Sequence, residues 1–298
     1  MLVELAIGDA YGAGFEFAAS EEVEEHNTLH GYRQHPRHRG IRPGMYTDDT
    51  QLTLAVAELL LDGDPWTPEN LADRLVDAYH RDPRDGYAKG FRALLDANRT
   101  GAELRAAIAP ASDRSGAAMR AGPIGLLPDV DEVLRLAEIQ ARVTHDTPAG
   151  IESARAAALA VHYCHHRIGP TERVAHWITE RLDGAEDWSV PWQGKVDALG
   201  VMCVRAALTA LSGKRRLTDL LSVCIGYTGD VDTVATIALA AGSRAADVEQ
   251  DLPAHLYDTL ENGPFGRDYL ADLDARLLDR WPGPTPCAEV TEPTCRSD

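Results

Sequence analysis

No stretch of about 18 residues in this chain is apolar and free of charge, which argues against a membrane-spanning helix. Strand signals are nearly absent, since β-branched alternation never runs for five residues, and a sheet is not expected. Basic residues are scarce: 29 Lys and Arg stand against 47 Asp and Glu, for a formal net charge of -18. That balance argues against sequence-independent nucleic-acid binding, which needs a basic face. Cysteine is limited to five residues, an odd number with no CxxC in a chain that is not small, which argues against a disulfide framework and fits a reducing, cytoplasmic setting. Met1-Leu2-Val3-Glu4 lacks the basic flank of a leader and reads as the start of the fold. No internal repeat is evident.

What is present is helical periodicity. Gln51–Leu61 is apolar nearly all round and predicts a buried helix. Thr67-Pro68-Glu69 combines a cap, a proline at the first helical position and a first-turn acid, opening a helix through Leu71, Leu75 and Val76 to Tyr79. Thr147-Pro148 repeats the signal before alanine-rich Ile151–Cys164. Further helices are expected over Gly86–Ala97, Val133–Val143, Arg173–Leu182, Asp197–Leu211, Leu217–Cys224, Thr233–Ala241 and Tyr269–Trp281. Ala18–Met45 and Ala109–Leu127 read as loops, long enough to carry function. The expectation is one all-α domain over residues 1–281 with a disordered tail at 282–298, rich in Pro, Thr, Glu and Ser.

Two short acidic stretches stand out. Thr47-Asp48-Asp49-Thr50 and Gly229-Asp230-Val231-Asp232-Thr233 each precede an apolar helix. A carboxylate at a helix start gains a fraction of a kcal/mol from the dipole, roughly 0.3–1. Two such ends facing each other gather carboxylates whose repulsion exceeds that gain, unless divalent cations sit between them. Mg²⁺, Mn²⁺ and Ca²⁺ take all-oxygen ligand sets, whereas Zn²⁺ prefers His and Cys. Either stretch alone reads first as a helix cap; the pair shifts the balance towards metal.

Weaker signals accompany them. Glu16, between Phe15 and Phe17 after the glycines of Gly8-Asp9-Ala10-Tyr11-Gly12-Ala13-Gly14, has the apolar flanks that suit acid–base work; the plain alternative is a helix whose glycines serve packing. Ser115 to Gly125 is a small-residue loop whose amides suit phosphate oxygens, or a simple turn. His145 reads as a ligand contact or a cap. His26, His30, His35 and His38 with Arg33, Arg37, Arg39 and Arg42 form a basic island, by default a solvated loop.

Taken in order, Gly8-Asp9-Ala10-Tyr11-Gly12 with Glu16-Phe17, Thr47-Asp48-Asp49-Thr50, Ala118-Met119-Arg120 with Pro123-Ile124-Gly125, Thr144-His145 and Gly229-Asp230-Val231-Asp232-Thr233 resemble the ADP-ribosylglycohydrolase family. The resemblance implies a compact, single-domain orthogonal helical bundle with two Mg²⁺ or Mn²⁺ in a central cleft. It implies Thr47, Asp48 and Asp49 as ligands from one side and Asp230, Asp232 and Thr233 from the other, with Glu16, Asp49 and Asp230 in the chemistry. Ser115, Gly116, Ala117, Met119 and His145 would hold the pyrophosphate and ribose of ADP-ribose. The implied reaction cleaves the bond at C1 of the distal ribose of a modified acceptor, arginine-linked by first preference, in a monomeric enzyme that meets neither membrane nor bulk nucleic acid. The alternatives are a non-catalytic ADP-ribose binder or structural relative, and a metal-dependent nucleotide phosphohydrolase. The chain departs from the family pattern at Ser115, often Asn, and at Thr228 and Val231, often Gly and Thr.

Overall fold

The computed structural model describes residues 1–284, so the tail predicted from 282 onward lies almost wholly outside the described residues. In chain order the helices are α1 (Leu2–Ala13), α2 (Ser20–His26), α3 (Asp48–Asp62), α4 (Pro68–Arg81), α5 (Lys89–Ala97), α6 (Gly101–Ala107) and the single turn α7 (Gly116–Met119). They continue as α8 (Val130–Arg142), α9 (Pro148–His165), α10 (Val174–Thr179), α11 (Gly200–Gly213), α12 (Leu217–Gly226), α13 (Val231–Gly242), α14 (Ala254–Thr259) and α15 (Arg267–Arg280). Short 3-10 turns occupy Gly122–Leu126 and Thr171–Arg173. Among the described residues extended pairing is limited to isolated bridges, so the all-α expectation holds.

Local signals explain most of these boundaries. The Thr67 hydroxyl accepts the Asn70 amide and the Thr147 hydroxyl the Gly150 amide, each ahead of a proline in the first turn. Thr100 and Glu103 close a reciprocal capping box that opens α6. Differences arise where backbone is committed elsewhere. The helix expected from Asp197 begins at Gly200, because Leu199 bridges to Arg114 and the Gly200 amide bonds Asp113 O at 2.9 Å. The one expected from Gly86 begins at Lys89, since Gly86 has φ +111°. Both long loops contain helices: α2 in the first, α7 and a 3-10 turn in the second.

Every residue of α13 is buried, and α1, α9, α11 and α12 pack around it. Gly8 and Gly12 let α1 lie directly on it: a Cβ at Gly8 would stand 2.8 Å from Ala235 O, and one at Gly12 2.8 Å from Asp232 N. The packing role foreseen for these glycines is therefore what seats an acid. α3 is apolar all round because it serves two cores. Leu54, Val56, Ala57 and Leu60 join the main one, while Leu52, Ala55 and Leu59 meet Leu71, Leu75 and Val76 of α4.

Candidate metal centre and ligand site

The starts of α3 and α13 meet, with α1 beside them. Asp9 of α1 is wholly buried and receives four donors from the start of α3. These are the Thr47 amide (3.0 Å to Oδ2), the Thr47 hydroxyl (2.8 Å), the Thr50 amide (2.9 Å) and the Thr50 hydroxyl (2.6 Å). One aspartate thus caps a helix in the next layer, meeting amides that have no intrahelical partner. Nothing local in the sequence marks this pairing across 38 residues; its one signal is an acid embedded in an otherwise apolar helix.

With that end pinned, Asp48 and Asp49 point into the junction with Asp230, Asp232 and Thr233. Asp49, Asp230, Asp232, Thr47 and Thr233 are buried and Asp48 is half-buried. Burial, reinforced by the neighbouring acids, raises the whole group: Asp48 to about 8, with Asp9, Glu16 and Asp230 adding to the effect. Asp230 rises to about 6 from burial and the Glu16 charge, and Asp49 and Asp232 are pushed well above the usual range. The cap reading survives at Thr47, whose hydroxyl accepts the Asp49 amide at 3.3 Å. It fails at Asp230, which makes no side-chain cap bond and instead receives the Ser115 hydroxyl at 3.0 Å and the Cys203 thiol at 3.2 Å.

The residues fit divalent cations. Asp49 Oδ1 and Asp232 Oδ1 are buried with no hydrogen-bond partner, a costly state for a carboxylate oxygen unless something positive meets it. The donors around them are hard oxygens, and one oxygen each of Glu16, Asp230 and Asp232 fall within 4.8 Å of one another.

The residues expected to hold a ligand lie along one edge. Ser115 precedes α7, whose first amides lack intrahelical partners as at any helix start. Gly116 is half-buried against the His145 ring, while Ala117 and Met119 are buried. Arg120 is buried without a carboxylate partner among the described residues. Its guanidinium donates to Gln140 Oε1 at 2.7 Å and to the Thr144 hydroxyl at 2.8 Å, and burial lowers its pKa to about 10. The Thr144 hydroxyl, which accepts from Arg120, lies 2.6 Å from His145 Nδ1; with its own proton donated there, the ring carries its proton on Nε2. Burial and the Arg120 charge lower the His145 pKa to about 3, so it presents a neutral N–H donor.

The basic island is not a solvated loop throughout. His35 is buried and its Nε2 lies 2.6 Å from Glu16 Oε2. Phe17 takes φ +52° and donates its amide to Gly229 O at 2.8 Å, tying the Glu16 turn to the loop ahead of α13. Gly229 itself has φ +97°, and any Cβ there would overlap the Val196 carbonyl.

A groove of about 740 Å³ between α8, α9 and residues 181–184 shares none of these acids, and its Arg142 and Arg155 are already paired with Glu138.

The family model described as ADP-ribosylglycohydrolase matches residues 1–287. The chain belongs to the ADP-ribosylglycohydrolase family. An ADP-ribosylhydrolase ARH3 of Xenopus tropicalis is 31% identical over 268 residues, covering 70% of this chain and 75% of that protein. The ADP-ribosyl-[dinitrogen reductase] glycohydrolase of Rhodospirillum rubrum is 26% identical over 291 residues, 92% of each chain. The match to a protein of Archaeoglobus fulgidus, 34% identical, spans about half of that relative, 53%. A solved structure described as an ADP-ribosylglycohydrolase-related protein complex superposes with a TM-score of 0.75 at 23% identity, over 93% of this chain and 95% of that one, and so shares the ADP-ribosylglycohydrolase fold. No described helix is long and apolar enough to cross a membrane.

Proposed function

We propose that this chain hydrolyses the bond between C1 of the distal ribose of ADP-ribose and an acceptor group. The observation that carries this reading is the cluster of Asp48, Asp49, Asp230 and Asp232, in which one buried oxygen each of Asp49 and Asp232 has no partner, with Glu16 at its edge; family membership supports it. Asp48, Asp49, Asp230 and Asp232, with Thr47 and Thr233, would hold two Mg²⁺ or Mn²⁺. Bound there, the cations supply fixed positive charge that orients ribose hydroxyls and acidifies water. Glu16 takes a proton from the water whose oxygen bonds to C1, and returns it to the acceptor atom as the C1 bond breaks. His145 donates Nε2–H, and Gly116 and Ala117 their amides, to the pyrophosphate and proximal ribose. Ser115, tied to Asp230, links that edge to the metal ligands.

For the acceptor, the acid well suits a departing guanidine and favours an arginine linkage. One observation favours a neutral acceptor such as a serine hydroxyl: the Arg37 guanidinium lies 4.6 Å and the Lys195 ammonium 5.7 Å from the centre of the ring of Phe17, the residue after Glu16, so two cations stand on that part of the turn.

The test is ADP-ribose release from arginine-linked and from serine-linked ADP-ribosylated protein, in Mg²⁺, in EDTA and with Asp230→Ala. The variant should lose Mg²⁺ binding and more than about 100-fold in turnover, since even partners of metal ligands are worth ~10–100-fold. Full activity of Asp230→Ala, or release of AMP or phosphate instead of ADP-ribose, would sink the reading. Mg²⁺-dependent binding of ADP-ribose with no turnover would favour a binder.

A further inference from the structure

The loop carrying His35 meets Glu16 through one hydrogen bond, and contacts within the loop and to Phe17 hold that loop in place. His35 Nδ1 accepts the backbone amides of Arg37 at 3.0 Å and His38 at 3.1 Å. A ring nitrogen receiving two N–H groups carries no proton, so the proton sits on Nε2 and is donated to Glu16 Oε2 at 2.6 Å. Gln34 closes the same turn by donating to Ile41 O at 2.7 Å, and Arg37 stacks on Phe17 next door.

Glu16, His35 and His38 place one donor atom each within 4.8 Å, a spacing that also suits a transition metal. The two amides on Nδ1 speak against that use. A metal on Nε2 requires the neutral ring to carry its proton on Nδ1, where it would face both amide hydrogens.

We propose that His35 is a positioning residue for Glu16, holding Oε2 so that the carboxylate keeps one orientation towards Asp230 and Asp232. The inference rests on Glu16 acting as the proton acceptor. Its geometry resembles that of a base oriented by a third group, with the roles of carboxylate and imidazole exchanged. Without the N–H donor the Glu16 side chain, on a turn ending in a left-handed residue, has other rotamers open to it and loses rate rather than affinity.

The experiment compares Glu16→Gln, His35→Asn and His35→Gln on whichever linkage the wild-type chain turns over. In His35→Asn the amide oxygen stands near the Nδ1 position and keeps the loop amides satisfied, but nothing reaches Glu16. In His35→Gln the amide nitrogen stands near the Nε2 position and restores the donor. His35→Asn should lose about 10-fold or more in kcat, with KM and the ADP-ribose Kd in Mg²⁺ within about twofold of wild type; His35→Gln should recover most of the loss. Long-range ¹H–¹⁵N spectra of histidine-labelled protein should place the His35 proton on Nε2. An Nδ1 proton overturns the proposal, as does wild-type kcat in His35→Asn alongside an inactive Glu16→Gln. Equal losses in both His35 variants with KM rising in step assign His35 to loop folding and also overturn it. A fully active Glu16→Gln removes the proton-acceptor role on which the inference rests, and a wild-type chain that turns over neither linkage removes the functional reading; the inference falls with either.

Discussion

Thr228 is the residue at which this chain departs most sharply from what its backbone asks for. It sits at φ +60°, a left-handed conformation that a β-branched side chain rarely adopts, directly before Gly229 at φ +97°. Its carbonyl accepts the Val196 amide at 3.0 Å and its amide bonds Ile225 O at 3.1 Å, so the conformation is held from both sides. Such strain costs roughly 1–3 kcal/mol and is found where surroundings over-determine the backbone. Thr228→Gly should therefore raise the unfolding free energy by about 1 kcal/mol, once the extra freedom of glycine in the unfolded chain is subtracted. A urea midpoint equal to or below that of wild type would refute this. At the same scale, Thr47, Asp48, Asp49, Asp230 and Asp232 were legible as candidates because a polar residue before an apolar helix is a local pattern. Asp9 and His35 were not. Their meaning lies in partners 38 residues away in one case and on the far side of a loop in the other, and no short-range spacing encodes either.

Elements were legible in proportion to how local their causes are. The caps at Thr67 and Thr147 act within one turn and mark α4 and α9 correctly. α1 is different: it is buried on nearly every side, carries two glycines that a solitary helix disfavours, and owes its form to what it rests on. The contact between α1 and α13 is accordingly sensitive at Gly12, where an added methyl would meet the backbone of Asp232. Gly12→Ala should cost about 1–3 kcal/mol through overpacking and weaken Mg²⁺ binding, because the residue displaced is itself an expected ligand. Calorimetric Mg²⁺ titration with thermal unfolding checks both, and wild-type values for the pair would show that α1 does not set the position of Asp232. α3 was anticipated as a buried helix; that it divides its faces between two cores could not be read without knowing where α4 returns.

For the molecule as a whole, the acid cluster makes stability depend on pH in a direction opposite to that of most ion-paired carboxylates. A carboxylate whose pKa is higher folded than unfolded binds more protons in the folded state, so stability falls as pH rises between the two values. Asp48 at about 8 and Asp230 at about 6 lie on that side. Buried His145 at about 3, and His162 and His165 at about 4, act in the other sense but only below their ordinary value of 6.5. From pH 6.5 to 8 the carboxylates set the slope: in EDTA the melting temperature should decline as pH rises, and saturating Mg²⁺ should raise it more at pH 8 than at pH 6.5. A melting temperature in EDTA that is flat or climbing over that interval would contradict the arrangement.

The two halves of the acid cluster are also far apart along the chain, Asp49 on α3 and Asp232 on α13, a separation of 232 − 49 = 183 residues. A ribosome adding about 5–20 residues per second needs on the order of ten to forty seconds to travel between them. For that interval the emerging polypeptide holds Asp9, Asp48 and Asp49 without the helix they are built to face, and α1 without the surface its glycines fit. The acid cluster is consequently completed only after α13 has been made and slots in against α1.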